Sequence, residues 1–148
     1  MDSLIEEIKK CSTILLVDDL AENLFSLSKI LQAQGYLTES TNCGEKALKM
    51  LLKKEYSLIL LDVQMPGLNG YEVAEALKGA KKTKHIPLIF LTAMCKEKRL
   101  AQYTESGPVD YIVKPFEVDL LLMRINNFLR FNHMHKKLVE LSVGIIVE

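Results

Sequence analysis

The stretch ILLVDDL, residues 14–20, sets four apolar side chains directly in front of two adjacent aspartates, Asp18 and Asp19. An apolar run of this kind is typical of a strand that is buried on both faces of a sheet. The doubled aspartate alone indicates little, because aspartate commonly closes a strand or caps a helix. Its meaning depends on which residues end the other apolar runs of the chain.

Similar runs recur along the chain and alternate with segments of helical period. Strands are predicted at TILLV (13–17), a weaker and more polar YLTEST (36–41), SLILL (57–61), IPLIFL (86–91) and DYIVK (110–114). Alternating strands and helices predict an α/β domain, in which right-handed crossovers cover both faces of a parallel sheet with helices. In open sheets of this kind, ligands bind outside the carboxyl ends of the strands.

Five helical segments lie between or after these runs. The first should end at Gly35, the third should run over residues 70–79, and the fourth, over residues 96–106, is the most polar and is expected to be loosely held. The fifth follows the last strand. The predicted inward residues are Leu20, Leu24, Leu27 and Leu31 in the first helix, Ala47, Leu48, Leu51 and Leu52 in the second, and Val73 and Leu77 in the third.

Length, charge and composition exclude several classes of protein. A chain of 148 residues with 49% hydrophobic and 26% charged residues is expected to fold as one domain. Nineteen basic residues balance nineteen acidic ones, so direct binding to nucleic acid is not expected. Three unpaired cysteines, with no signal peptide and no apolar stretch long enough for a membrane span, favour the cytoplasm. His133 and His135, two residues apart, are expected on the surface rather than on a metal.

Polar residues follow the apolar runs. Asp18 and Asp19 come after the first run, Asp62 after the third, Thr92 after the fourth, and Lys114 ends the fifth. Because the carboxyl ends of parallel strands share one edge, we expect these side chains to meet there. Three carboxylates would repel one another without a cation, and Mg²⁺ suits oxygen ligands. A lysine and a hydroxyl beside such an ion are what phosphoryl transfer requires, with Asp62 as the nucleophile.

Four motifs carry a resemblance to a known family. LVDD (16–19), LLDVQMPGLNGYE (60–72), FLTA (90–93) and DYIVKPF (110–116) together resemble the receiver domain of bacterial two-component response regulators. The resemblance covers residues 14 to about 131. It implies a flavodoxin-like, doubly wound sheet of five parallel strands in the order 2-1-3-4-5, with five helices of which the last is extended.

The resemblance also implies a role for each motif residue. Asp62 would accept a phosphoryl group from the phosphohistidine of a histidine kinase or phosphotransfer protein. Mg²⁺ would be held by Asp18, Asp19, Asp62 and the backbone carbonyl of Gln64. This would make the chain a phosphorylation-dependent signalling switch rather than an enzyme, since it would catalyse only its own phosphorylation and dephosphorylation.

The remaining motif residues are implied to bind phosphate and to transmit the signal. Thr92 and the amide of Ala93 would bind phosphoryl oxygens, and Lys114 would pair with the phosphate. The bond between Lys114 and Pro115 is expected to be cis. Tyr111 matches the family's switch aromatic, so that movement of Thr92 would change the surface offered to a downstream protein or an output domain.

The ends of the chain extend beyond the resemblance. We expect a short helical extension at residues 1–12, a receiver domain at residues 13–131 and a helical extension at residues 132–148, in which Gly144 ends or frays the helix. This last helix is expected to serve as a linker or to pair two copies in a homodimer, because it carries an apolar stripe at heptad spacing. The stripe consists of Phe131, Met134, Leu138, Leu141 and Ile145.

Two other functional classes remain open. A metal-dependent phosphatase or hydrolase could use Asp62 as its nucleophile, although Val63 and Gln64 follow where aspartyl phosphatases show a D-x-D spacing. A flavin or nucleotide binder could use the same fold, although no glycine-rich phosphate loop follows the first strand.

Overall fold

Five helices and five strands make up the described part of the chain. A computed structural model describes residues 3–93 and 109–147, the last five of these by their backbone alone. The helices are α1 (Ser3–Cys11), α2 (Ala21–Ala33), α3 (Gly44–Lys53), α4 (Gly70–Lys78) and α5 (Val118–Val147). The strands are β1 (Thr13–Val17), β2 (Leu37–Thr41), β3 (Leu58–Asp62), β4 (Leu88–Thr92) and β5 (Val109–Val113). The polar helix predicted at residues 96–106 lies outside the described residues.

The strands form one sheet in the order β2-β1-β3-β4-β5, and every pairing is parallel. The predicted strands, the doubly wound fold class and the strand order are therefore confirmed. β2 lies at one edge of the sheet and pairs with β1 alone. Its residues include the polar Thr38, Glu39 and Ser40. Polar and charged side chains on an edge strand discourage pairing with another chain.

Two hydrophobic cores lie on opposite faces of the sheet. Leu15 and Val17 of β1 belong to the core that is covered by α3 and α4, whereas Ile14 and Leu16 belong to the core under α1, α2 and α5. Side chains alternate between faces along a strand, so an uninterrupted apolar run contributes to both cores. This explains why the buried strands are continuous apolar runs in the sequence.

Two predicted helix faces need correction. Leu27 and Leu31 of α2 are buried as expected, but Leu20 is 57% exposed, because the helix begins after it and Leu20 occupies the N-cap position. In α3, Leu51 is buried and Leu52 is 65% exposed. Adjacent helical residues point about 100° apart, so only one of the two leucines can face the sheet.

Helix α5 is longer than the sequence predicts. Gly144 does not end it, since the helix continues without a break to Val147. A glycine inside a helix costs only about 1 kcal/mol relative to alanine. The first half of α5 buries Leu121, Ile125 and Leu129 against the sheet. The predicted stripe is exposed beyond that point, at Phe131 (47%), Met134 (63%), Leu138 (64%) and Leu141 (63%).

Two sets of contacts hold α5 against the rest of the domain. Ile5 and Ile8 of α1 are buried in the same core as the first half of α5. The ring of His135 stacks on that of His85, with centroids 5.6 Å apart. His133 and His135 are both half-buried, and so only partly exposed at the surface. Within the described residues, no helix combines the length and apolar character that crossing a membrane requires.

Candidate functional site

The predicted acidic residues meet at the carboxyl edge of the sheet. Asp18 follows β1, and Asp62 is the last residue of β3, the strand beside it. One side-chain oxygen from each of Asp18, Asp19 and Asp62 lies within 4.8 Å of the other two. Asp18 and Asp62 are buried, whereas Asp19 is half-buried, so the cluster reaches solvent on the side of Asp19. The order of connections reverses between β1 and β3, which is where ligands bind in doubly wound sheets.

Lys114 supplies a positive charge to this cluster. Its Nζ lies 3.3 Å from Oδ1 of Asp62, to which it donates a hydrogen bond, and 3.7 Å from Oδ2 of Asp18. Its backbone N–H donates to the carbonyl oxygen of Thr92 at 2.7 Å, which ties the residue to the end of β4. The bond from Lys114 to Pro115 is cis, and that expectation is confirmed.

The surroundings of Asp62 oppose its ionisation. Burial raises the pKa of the Asp62 carboxyl above its usual value, and the charge of Asp18 raises it further. The charge and hydrogen bond of Lys114, together with a backbone hydrogen bond from Gln64, lower the pKa but do not cancel the effect of burial. The one ammonium of Lys114 faces three carboxyl groups, so the cluster has more acidic groups than cations. The set of oxygen donors with excess negative charge fits a hard divalent cation such as Mg²⁺.

The carboxylate of Asp18 is held by two donors. Its Oδ1 accepts the backbone N–H of Leu20 at 2.9 Å, and its Oδ2 accepts Nδ2 of Asn23 at 3.1 Å. Asn23 was not among the predicted site residues. A usable signal was present, because Asn23 stands in the first turn of a helix that begins just after the aspartate pair, and its amide can reach back to the strand end.

The other predicted site residues lie around the same edge. Thr92 is the last residue of β4 and is buried, and Ala93 follows it and is exposed. Gln64 is exposed two residues after Asp62. Tyr111 lies on β5 opposite Phe90 of β4 and is 36% exposed. The structure thus brings the phosphate-binding candidates to one edge, while Tyr111 lies on β5 and is exposed.

The start of α4 packs tightly against the strand end that carries Asp62. A Cβ on Gly70 would lie 2.3 Å from the carbonyl oxygen of Asp62 and 2.9 Å from Cα of Val63, so only glycine fits. The N–H of Gly70 donates to the carbonyl oxygen of Val63 at 3.1 Å. Asn69 and Glu72 form a capping box in which each side chain accepts the other's backbone N–H. These contacts fix the loop after β3 relative to the carboxylate.

A groove adjoins the cluster between α2 and the loop that follows β5. Its volume is about 290 Å³. Asp18 and Lys114 lie at its polar end, and Leu27, Ile30 and Phe116 line its apolar part. The groove therefore places an apolar wall beside the acidic cluster.

Comparison with known sequences agrees with this geometry. The family model for the response regulator receiver domain matches residues 14–126. A probable cyclic di-GMP phosphodiesterase of Vibrio cholerae is 38% identical over 125 residues, which cover 84% of this chain and 28% of that protein. The transcriptional regulatory protein HprR of Escherichia coli is 34% identical over 129 residues, covering 87% and 56%. The chain spans about a quarter to just over half of these relatives' lengths.

Solved structures show the same likeness. The response regulator StyR is 26% identical with a TM-score of 0.81, over 90% of this chain and 66% of that one. The receiver domain of a signal transduction histidine kinase from Syntrophus aciditrophicus is 32% identical with a TM-score of 0.74, over 81% and 91%. The chemotaxis protein CheY4 of Vibrio cholerae is 28% identical with a TM-score of 0.73, over 79% and 98%. This chain therefore belongs to the response regulator receiver domain family.

Proposed function

We propose that this chain is a signalling switch that accepts a phosphoryl group on Asp62, from a histidine kinase or a phosphotransfer protein, in a reaction that depends on Mg²⁺. Membership of the family implies phosphorylation-dependent signalling. The observation that supports Asp62 is its position: a buried carboxylate at the end of β3, beside Asp18 and Asp19 and 3.3 Å from the ammonium of Lys114. Asp18 is buried beside the same groups, but its two oxygens accept hydrogen bonds from Leu20 and Asn23.

The metal site proposed with it uses oxygen atoms alone. Asp18, Asp19 and Asp62 would hold Mg²⁺ together with the backbone carbonyl of Gln64. The closeness of the three carboxylates supports this set, because their mutual repulsion is relieved by a divalent cation. When bound, Mg²⁺ would supply positive charge for the oxygens of the transferred phosphoryl group.

The residues of the chain would share the remaining work of the transfer. An oxygen of Asp62 forms the new bond to phosphorus as the bond from phosphorus to the histidine nitrogen breaks, and the imidazole leaves. Lys114 pairs with a phosphoryl oxygen as a point charge. The hydroxyl of Thr92 and the N–H of Ala93 donate hydrogen bonds to the other oxygens. This is catalysis by positioning and charge, as phosphoryl transfer generally requires.

The signal would travel from Thr92 to Tyr111. A phosphoryl group adds roughly −1.5 to −2 charges and new acceptor oxygens, which draw the Thr92 hydroxyl inward. Thr92 and Tyr111 lie on adjacent strands, and the exposed ring of Tyr111 can then turn toward the vacated space. A downstream protein or an output domain that prefers one of the two surfaces shifts the population between them.

One experiment tests the assignment directly. The chain is incubated with acetyl phosphate and Mg²⁺, and its intact mass is measured with time. We expect one added phosphoryl group in the wild type and in Asp119→Asn, an exposed aspartate outside the cluster, and none in Asp62→Asn or with excess EDTA. An adduct that persists in Asp62→Asn would refute the assignment, and repeated hydrolysis of an external phosphomonoester would favour the metal-dependent phosphatase instead.

The exposed stripe of α5 suggests a further part of the proposal. We propose that it pairs two copies of the chain or leads as a linker toward an output domain. The spacing of Phe131, Met134, Leu138 and Leu141 places them along one seam of the helix, and all four are exposed. Location in the cytoplasm is part of the same proposal, since the proposed phosphodonors act there.

A further inference from the structure

Both oxygens of the buried Asp18 are held by hydrogen-bond donors of α2 and the turn before it. Nδ2 of Asn23 donates to Oδ2 at 3.1 Å, and the backbone N–H of Leu20 donates to Oδ1 at 2.9 Å. Asp18 is 1% exposed, so water does not compete freely for these contacts. We infer that Asn23 is a positioning residue, which sets the orientation in which Asp18 binds a divalent cation. This inference rests on the proposed function.

Helix capping does not account for the contact. A polar side chain at the third helical position ordinarily reaches back to the N–H of the residue before the helix, as Glu72 does in α4. In α2 that N–H belongs to Leu20, and it is already bound to Asp18. Asn23 reaches across to the carboxylate instead. The hydrogen bond to Asp18 is thus a tertiary contact rather than a cap of the helix.

A neutral amide suits this task chemically. It orients the carboxylate without adding to or subtracting from the charge of the cluster, whereas Lys114, 3.7 Å from the same oxygen, already supplies a cation. A carboxylate has about four lone-pair directions, so Oδ2 can accept from Asn23 and still bind a metal. A ligand that is ordered in advance loses less side-chain freedom when the ion binds. Partners that orient metal ligands commonly affect metal affinity about 10–100-fold.

The test compares two alanine variants of α2. Mg²⁺ is titrated into the metal-free 148-residue chain by isothermal titration calorimetry. We expect Asn23→Ala to bind Mg²⁺ about tenfold more weakly than the wild type, and the Mg²⁺ concentration that gives half the maximal phosphorylation rate with acetyl phosphate to rise by the same factor. Ser26→Ala, an exposed serine on the same helix, should leave both values unchanged.

A second variant separates positioning from simple structural support. Asn23→Asp keeps the shape but replaces the donor by an acceptor and adds a negative charge beside Asp18. Without metal it should unfold at a lower temperature than the wild type, and Mg²⁺ should raise its Tm more than it raises that of the wild type. An unchanged deficit with and without Mg²⁺ would indicate structural support only and would overturn the inference.

The remaining outcomes are also decisive. Equal Mg²⁺ affinity of the wild type and Asn23→Ala, or an equal loss in Ser26→Ala, overturns the inference while phosphorylation of Asp62 stands. A wild-type chain that is modified on Asp62 but binds no Mg²⁺ overturns the inference together with the metal part of the proposed function. A wild-type chain that binds Mg²⁺ but is not modified on Asp62 overturns the proposed function alone if Asn23→Ala still binds the ion more weakly.

Discussion

Burial and the charge of Lys114 have opposing effects on the ionisation of Asp62. Burial and the neighbouring Asp18 make its ionised form costly, while Lys114 and the backbone of Gln64 offset part of that cost, and the pKa of Asp62 stays raised. The metal-free protein thus stores unfavourable free energy at the residue proposed to react. Sites of this kind are often less stable than a sequence with the charge removed.

Removal of that charge should stabilise the metal-free chain. We expect Asp62→Asn to raise Tm, measured with EDTA present, because the amide keeps the shape and removes the buried charge. A gain on the order of 1 kcal/mol corresponds to roughly 2–4 °C for a chain of this size. Asp110→Asn is the control of opposite sign, since Asp110 forms an ion pair with Arg124. A lower Tm for Asp62→Asn would show that its contact with Lys114 outweighs the cost of burial.

At the level of elements, the contact between α4 and the end of β3 limits which residues fit at position 70. Only a residue without Cβ fits at Gly70, because the carbonyl of Asp62 lies directly against it. The glycine is in the helix and has no positive φ, so its role is the close approach of two backbones rather than an unusual conformation. A change here moves the strand end that carries the carboxylate.

Two glycines at the ends of α4 provide a matched test. Gly70→Ala should lower the rate of phosphorylation by acetyl phosphate and destabilise the fold, since its Cβ would lie 2.3 Å from the carbonyl oxygen of Asp62. Gly79→Ala should be close to neutral, because its Cβ would lie 3.4 Å from the nearest atom. Rates are compared by intact mass and stabilities by urea unfolding. Equal behaviour of the two variants would contradict a special role for the Gly70 contact.

The middle of α5 makes a contact that should depend on pH. Burial lowers the pKa of the His85 imidazole below 6.5, and the charges of His135, Lys136 and Lys78 lower it further, while Glu55 acts in the opposite direction. A histidine with a lowered pKa in the folded state stabilises the protein above the pKa of the unfolded chain. That contribution is lost as the pH falls through about 6.5 and below.

Urea unfolding as a function of pH measures this contribution. We expect the wild type to lose more stability than His85→Gln between pH 7.5 and pH 5.5, about a unit on either side of the unfolded-state pKa. The two proteins should show the same pH dependence above pH 7.5, where the histidine is neutral in both states. Parallel curves over the whole range would mean that the stacked ring of His85 does not resist protonation.

At the level of the whole molecule, one sheet separates two cores and carries the site on its edge. Neighbouring strands β1 and β3 bring Asp18 and Asp62 together, although the two residues are far apart along the chain. Helix α5 belongs to one core over its first half, contacts His85 through His135, and exposes Leu138, Val139 and Leu141 beyond that contact. The acidic cluster and the exposed stripe are thus parts of one folded unit.

Self-association through the stripe is the prediction at this scale. We expect the wild type to form a dimer whose mass, measured by light scattering after gel filtration, falls to that of a monomer in the double variant Leu138→Glu, Leu141→Glu. Val139→Glu is the control, because Val139 is exposed on the same helix but lies off the heptad spacing. A wild type that stays monomeric at every concentration would exclude pairing of this chain and leave the stripe as a linker.

Local patterns predicted most of the fold, and contacts between distant segments account for the rest. Apolar runs identified four of the five strands, because buried parallel strands need apolar side chains on both faces, whereas the edge strand β2 is polar. Residues at strand ends identified Asp18, Asp62 and Lys114, since parallel strands share a carboxyl edge. The stacking of His85 on His135 and the contact of Gly70 with Asp62 depend on the packed structure, so no local period reveals them.

Helix α5 is continuous, so the direction of each side chain around its axis is fixed relative to the others. An α-helix turns about 100° per residue. Because Leu129 is packed in the core, the direction of Leu138 around the helix axis is fixed as well. Inserting a single residue between them would rotate the stripe by about 100° around the helix axis, whereas inserting seven would nearly restore its direction. The number of residues between the packed part of the helix and the stripe therefore determines the direction in which the stripe faces.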